Sequence, residues 1–363
     1  MRRDGFAALL FASGAWWFTC AAAEAQIQLT PPAPRAPVKP APRTTANPSP
    51  AKPATPKPAA SEGAPPAPAE QPAAVSGRNP DLAYGAFQRG HYMTAFAIAT
   101  RRVDEKNDIK AMTLLGELYA NGFGVDRDDK KAAQWYRFAA DRGDREAMFA
   151  LALFRLGGRA GTANGEEGAK LLAAAAKLGH AAASYDLGLL YVEGRMFPQD
   201  FSRAAELFRA AADAGNPEAQ YALATLYKEG HGVPQDPAQA AHLLAAASVA
   251  DNTDAQVEYA IALFNGNGVA RNEALAASLL QKAARKGNAV AQNRLANVLA
   301  VGRGVKADPV EAIKWHIIAK AGGISDIPLD LFIEKQTAET RTAAEKAAKP
   351  WLDAIKEARA SRS

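Results

Sequence analysis

Cysteine is almost absent: the 363 residues contain one, Cys20. A disulfide framework is therefore excluded, and packing alone must hold any fold together. Histidine is nearly as sparse. His91, His180, His231, His242 and His316 fall on different segments, with no i, i+4 pair beside a glutamate, which excludes a helical zinc-protease site. His180 at a segment junction and His231 in a turn read as solvated. Long hydrophobic runs are also missing: Phe6 to Phe18 is apolar but too short for a comfortable membrane span. A strong charge of one sign is absent from most of the chain. Eight of the 43 Lys and Arg and four of the 38 Asp and Glu precede Asp81, leaving 35 basic against 34 acidic residues beyond it. The overall charge of +5 belongs to the N-terminal part, so a nucleic-acid groove in the folded region is not expected.

That N-terminal part reads as two segments. Arg2 and Arg3 ahead of the Phe6–Phe18 stretch, then Ala23-Glu24-Ala25, have the order of a secretory signal peptide over residues 1–25. Cleavage after Ala23 fits nearly as well as cleavage after Ala25. Arg2-Arg3-Asp4-Gly5-Phe6 matches a twin-arginine signal poorly, and Trp17-Phe18-Thr19 departs from the small residues that precede a lipidated cysteine. Export to the periplasm, or secretion, is the expectation, with no membrane span in the mature chain. Residues 26–80 follow as a linker: 16 of the 23 prolines lie within 27–80, mixed with Ala, Lys and Arg. Proline removes backbone donors and biases its neighbours to extended geometry, so this stretch is expected to be disordered. Fully extended, it would reach on the order of 160 Å at ~3.1 Å per residue.

From Ile109 the chain repeats every 36 residues without insertion, over 109–144, 145–180, 181–216, 217–252, 253–288 and 289–324. The third position is always alanine, from Ala111 to Ala291; the seventh is leucine except Tyr259; the eighth is only Gly or Ala. Apolar spacings of three and four mark helix, and a tiny residue beside a leucine lets a second helix come close. Gly122, Gly158, Gly194, Gly230, Gly266 and Gly302 then close each first helix, and Gly124, Gly232, Gly268 and Gly304 follow in four units. Asp128, Asn164, Asp200, Asp236, Asn272 and Asp308 have the chemistry of N-caps, with Pro237 and Pro309 at first-turn positions. Second helices present Trp135, Leu171, Leu207, Leu243, Leu279 and Trp315 for packing. They end at Gly143, Gly179, Gly215, Asp251, Gly287 and Gly323.

Ala111 to Ala140 resembles the Sel1-like repeat almost position by position: Ala-x-x-x-Leu-Gly-x-x-Tyr-x-x-Gly-x-Gly-Val-x-x-Asp, then Ala-x-x-Trp and Ala-Ala. The resemblance, to an exported member of alphaproteobacterial type, implies an all-α, right-handed αα superhelix of the tetratricopeptide-like kind. The second unit departs most, with Gly161-Thr162-Ala163-Asn164-Gly165 in place of the usual turn. Residues 81–108 read as a shortened tetratricopeptide-like hairpin using Tyr84, Phe87, Gly90, Tyr92 and Phe96. Residues 325–363 read as capping helices, kinked near Pro350 with Trp351 turned inward.

Chemistry is hard to find. The Gly-x-Gly turns lack the preceding strand and third glycine of a dinucleotide loop. Cysteine-rich relatives have been linked to penicillin binding, yet the single Ser-x-x-Lys here, Ser49 to Lys52, sits in the proline segment without a preorganised site. No enzyme activity, cofactor or metal is expected. By analogy with tetratricopeptide repeats, the fifth and ninth positions of each unit face the concave side. They place Phe149, Leu153, Tyr185, Leu189, Tyr221 and Ile261 in one apolar stripe. Such a stripe is either an open groove for a protein or peptide partner, or packing buried by tight coiling. The first option implies a periplasmic scaffold; relatives that restrain a sensor kinase are a family-level precedent for envelope signalling. The alternatives are an envelope organiser touching cell wall or membrane through the basic linker, and a hydrolase.

Overall fold

The computed structural model describes residues 81–361, and within them it contains sixteen helices and no strand. The leader, Cys20, the proline segment and Ser49–Lys52 lie outside the described residues. Helices α1 (Leu82–Gln88) and α2 (Tyr92–Lys106) form a hairpin ahead of the repeats. Six pairs follow: α3 (Ile109–Asn121) with α4 (Asp129–Ala140), α5 (Arg145–Leu156) with α6 (Gly165–Lys177), and α7 (Ala181–Glu193) with α8 (Phe201–Asp213). The series continues with α9 (Pro217–Glu229) and α10 (Pro237–Val249), α11 (Thr253–Asn265) and α12 (Glu273–Arg285), α13 (Ala289–Val301) and α14 (Pro309–Ala321). Each helix packs on the one before it and the one after it, giving an all-α repeat superhelix. The short α15 (Ile327–Glu334) and the long α16 (Ala338–Ala360) complete the chain, with α16 lying on α14. Helix α16 runs through Pro350 as one element, and Trp351 meets Trp315 edge-on at 5.1 Å.

Helix ends follow from side-chain chemistry. Asp128, Asn164, Asp200, Asp236, Asn272 and Asp308 each accept a backbone N–H from the first turn of a second helix. First helices are capped the same way by Asp108, Asp144, His180, Asn216, Asn252 and Asn288. Each such cap contributes about 1 kcal/mol. His180 is therefore not solvated. It is 7% exposed, its Nδ1 accepts from the Ala183 N–H at 3.1 Å, and its ring stacks on Phe149 at 4.4 Å. An imidazole nitrogen takes the place of the usual carboxylate or amide oxygen.

The interior of each pair is set by a size rule. The residue one place beyond the Trp135/Leu207 position lies deepest: Tyr136, Leu172, Phe208, Leu244, Leu280 and His316 are all buried, whereas Trp135, Leu171, Leu207, Leu243 and Leu279 are half-buried. The large ring of Tyr136 faces Gly116, and that of Phe208 faces Gly188. A Cβ at either glycine would stand 2.6 Å from a ring carbon. Where the deep residue is Leu172, Leu244 or Leu280, the facing position is Ala152, Ala224 or Ala260. Volume is traded across the helix pair, as close packing requires.

Neighbouring units are joined by three recurrent contacts. The second turn glycine presses on the backbone opening the previous second helix: a Cβ on Gly268 would lie 1.9 Å from the Pro237 carbonyl oxygen, and one on Gly304 2.2 Å from that of Glu273. Gln220, Gln256 and Gln292 donate through Nε2 to Ala212, Ser248 and Ala284 carbonyls of the preceding unit. Arg159 and Arg303, at the same repeat position, reach back to Asp129 and Ala120, and to Glu273 and Phe264. The second unit's divergent turn is therefore anchored, with Ala160 itself at φ 66°.

Candidate partner-binding face

The first helices line one side of the stack. Of the stripe expected from the sequence, Tyr185, Leu189 and Ile261 are 8%, 8% and 5% exposed, while Phe149, Leu153 and Tyr221 are half-buried. Tyr185 reaches across to the following unit, sharing a cluster with Ala219, Ala222 and Phe208. Tyr221 packs with Tyr259 and Leu243. The stripe is thus brought together along one face, but its rings spend most of their area spanning the joints between units. The hydroxyl ends of Tyr185 and Tyr221 make no hydrogen bond within the described residues.

Polar neighbours change the character of this face. Asp186, Glu218, Glu229, Asp254 and Glu258 surround the two tyrosines closely enough to push both phenols further up, beyond the rise that burial causes. Asp254 is open to solvent, yet its carboxyl is raised by desolvation, with Glu258 adding to the rise and an Asn288 hydrogen bond opposing it. Glu193 and, in the first unit, Glu117 are raised for the same reason. Two cations oppose this charge. Lys228 pairs with Glu258 at 3.2 Å, and Arg294 is drawn down by burial with Glu258 as its electrostatic counterweight.

The face is bounded at its C-terminal end by the chain itself. Asn293 and Asn297, the fifth and ninth residues of the last unit, both donate to Asp326 Oδ2 at 2.9 Å, and Asp326 caps α15. Reading only the fifth and ninth positions misses the carboxylates. Apart from Glu117 at a ninth position, they occupy the second (Glu218, Asp254), the sixth (Asp186, Glu258) and the thirteenth (Glu193, Glu229). A helical wheel places the second and sixth beside the fifth, so that part of the signal lay one and three residues away. Among the described residues no group of three or more His, Cys, Asp or Glu is placed to hold a metal ion, and no helix is long and apolar enough to cross a membrane.

Antiparallel helix pairs, stacked in register with a glycine turn inside each pair, define a helical-repeat protein of the superhelical class. The chain belongs to the Sel1 repeat family, whose repeat matches residues 109–144, 145–180, 181–216, 217–248, 253–288 and 289–324. Among solved structures, it is similar to a Sel1 repeat protein from Oxalobacter formigenes, with 27% identity and a TM-score of 0.57 over 65% of this chain and 94% of that one. It is also similar to c5321, a protective antigen of uropathogenic Escherichia coli with the same repeat fold. That match has 25% identity and a TM-score of 0.52, covering 72% of this chain and 64% of that one. No curated protein matches the chain. Sel1 repeat proteins are in general scaffolds for protein interaction, and the family and fold are typically non-catalytic.

Proposed function

We propose that this protein is an exported, periplasmic scaffold that holds a protein or peptide segment on the first-helix face of its central units and regulates envelope signalling through that grip. The observation that carries the reading is the pair Tyr185 and Tyr221: largely buried rings on the first-helix face, hydroxyls that make no hydrogen bond among the described residues, and carboxylates near enough to raise both phenols. Aromatic anchors at the centre of a face, with polar groups at its edge, are the usual anatomy of an interaction site. The test is site-specific photocrosslinking in the native envelope. A crosslinker at Tyr221 should yield a discrete adduct, and one at Phe138, exposed on a second helix, should not. Equal labelling from both positions, or none from Tyr221, removes the reading.

A second reading draws on the charge of residues 1–80, eight basic against four acidic. Here the basic proline segment touches anionic cell wall or membrane and the protein organises the envelope. Deleting residues 27–80 should then abolish envelope localisation while the Tyr221 adduct persists.

A further inference from the structure

We infer that the last repeat unit receives a carboxylate from the partner, on the guanidinium of Arg294. As a partner contact this rests on the scaffold reading above, and it names the group that the partner brings to that unit. Among the described residues six arginines are partly buried, and five of them meet a carboxylate: Arg102 with Asp108, Arg137 and Arg155 with Glu167, Arg159 with Asp129, and Arg303 with Glu273. Arg294, on α13, is the sixth. Of its three nitrogens only Nε is sealed from solvent, and none of the three has an acceptor among the described residues.

A sealed N–H that has given up water without gaining an acceptor costs free energy, and so does the charge behind it. Burial draws the guanidinium down from its ordinary value, and only Glu258 works the other way. Glu258 is already engaged, its Oε2 accepting from Lys228 Nζ at 3.2 Å. The fold therefore treats Arg294 unlike the other five. It sets the head into the surface by Nε, leaves the Nη pair open, and provides no anion.

Arg294 holds the sixth place of its unit, one step round the helix from Asn293 and Asn297 at the fifth and ninth. Those asparagines already receive a carboxylate, both donating from Nδ2 to Asp326 Oδ2 at 2.9 Å. The last unit thus binds one carboxylate of its own chain beside the guanidinium that has none. The class of the missing acceptor follows from charge and shape. A carboxylate matches two N–H groups of a guanidinium with two parallel hydrogen bonds. A neutral carbonyl offers one oxygen and no charge to set against the cation. A doubly charged phosphate would meet Glu258 with about twice the repulsion.

The experiment uses the full chain, isotope-labelled, and follows arginine Nε–H resonances by NMR; Arg294 is assigned by its loss in Arg294→Lys. Three probes are titrated to about 50 mM at fixed ionic strength. N-acetylglycine carries a terminal carboxylate, N-acetylglutamic acid α-amide a side-chain carboxylate, and N-acetylglycinamide none. At least one carboxylate should move the Arg294 resonance saturably, which identifies a chain end or an acidic side chain as the source, and the neutral amide should leave it in place. Arg294→Met removes a charge that the fold leaves unpaired and should melt about 2 °C above the wild type, whereas Arg303→Met breaks a pair and should melt lower. In the native envelope, Arg294→Met should cut the Tyr221 adduct at least about fivefold. The inference is overturned by an Arg294 resonance that neither carboxylate moves, by an equal response to the neutral amide, or by a response to inorganic phosphate alone. A lower melting temperature for Arg294→Met, or a Tyr221 adduct that it leaves undiminished, also overturns it. In each of these cases a discrete Tyr221 adduct from the wild type leaves the scaffold reading standing. A carboxylate response with no wild-type adduct removes the scaffold reading and keeps the Arg294 site.

Discussion

At the scale of single residues, the trade of volume between the eighth position and the deep residue of the second helix is open to a direct test. Gly188→Ala drives a methyl into the Phe208 ring and should cost roughly 2 kcal/mol as an overpacking change. Phe208→Leu alone should cost about 1–2 kcal/mol through lost contact. The double variant reproduces the Ala and Leu pairing of neighbouring units, so chemical denaturation should return a cost well below the sum of the two; a simple sum would mean the positions do not sense one another. This rule was only half legible in the sequence. The tiny eighth residue stood out as a place for close approach. Its partner on the second helix was not singled out, because Trp135 and the leucines one position earlier, which also pack, are the more conspicuous residues. Burial had to decide between adjacent apolar positions, which helical periodicity alone resolves poorly.

Single ionisable groups set a pH dependence. Asp129 is held at about 2, chiefly by hydrogen bonds from Arg159 at 2.5 and 3.1 Å, with Arg127 assisting. A carboxyl lowered by folding contributes stability above its ordinary value of 3.8 and loses it as the pH falls toward 2. Melting temperatures between pH 4 and 2 should fall steeply for the wild type and less steeply for Asp129→Asn, which starts lower at neutral pH. Parallel curves would show that Asp129 does not carry the effect.

At the scale of helices and turns, nearly all of the architecture could be read in advance: start signals, stop signals and the two-helix unit rest on local chemistry that repeats six times. What local chemistry does not reveal is why some turns carry a second glycine. Gly268 sits at φ 69°, and its missing Cβ leaves room for the Pro237 carbonyl of another unit, a long-range contact that no spacing rule contains. Gly268→Ala should therefore cost roughly 3 kcal/mol or more. Gly287→Ala, at φ 90° with open space around it, should cost only about 1–2 kcal/mol for the left-handed backbone. Equal destabilisation of the two in urea titrations would assign the cost to backbone conformation alone. His180 is another cap that resisted reading, since imidazole seldom takes that role; Phe149 and the Ala183 N–H give it one here. The candidate site was legible as a row of apolar residues on the right helices. Its acidity was not, because the carboxylates come from three different units and only stacking brings them round the same two tyrosines.

At the scale of the whole molecule, unit meets unit by glycine contact, glutamine bridge and arginine reach, and one junction departs from the others. Where five units end on a left-handed glycine, the fourth ends on Asp251 at φ 72°, held by Lys282 at 2.8 Å and Lys286 at 2.5 Å from the next unit. Its carboxyl is lowered by those lysines, so the clasp is present above the ordinary carboxylate range and opens as acid protonates it. Solvent ions reach it freely. The same seam keeps the Gly268 contact on Pro237 and the Gln256 bridge to Ser248, so salt or acid would loosen the lysine clasp without parting the units. Lost lysine contacts would leave that joint, between the units that carry Tyr221 and Asp254, resting on packing and that bridge, freer to flex than its neighbours yet still closed.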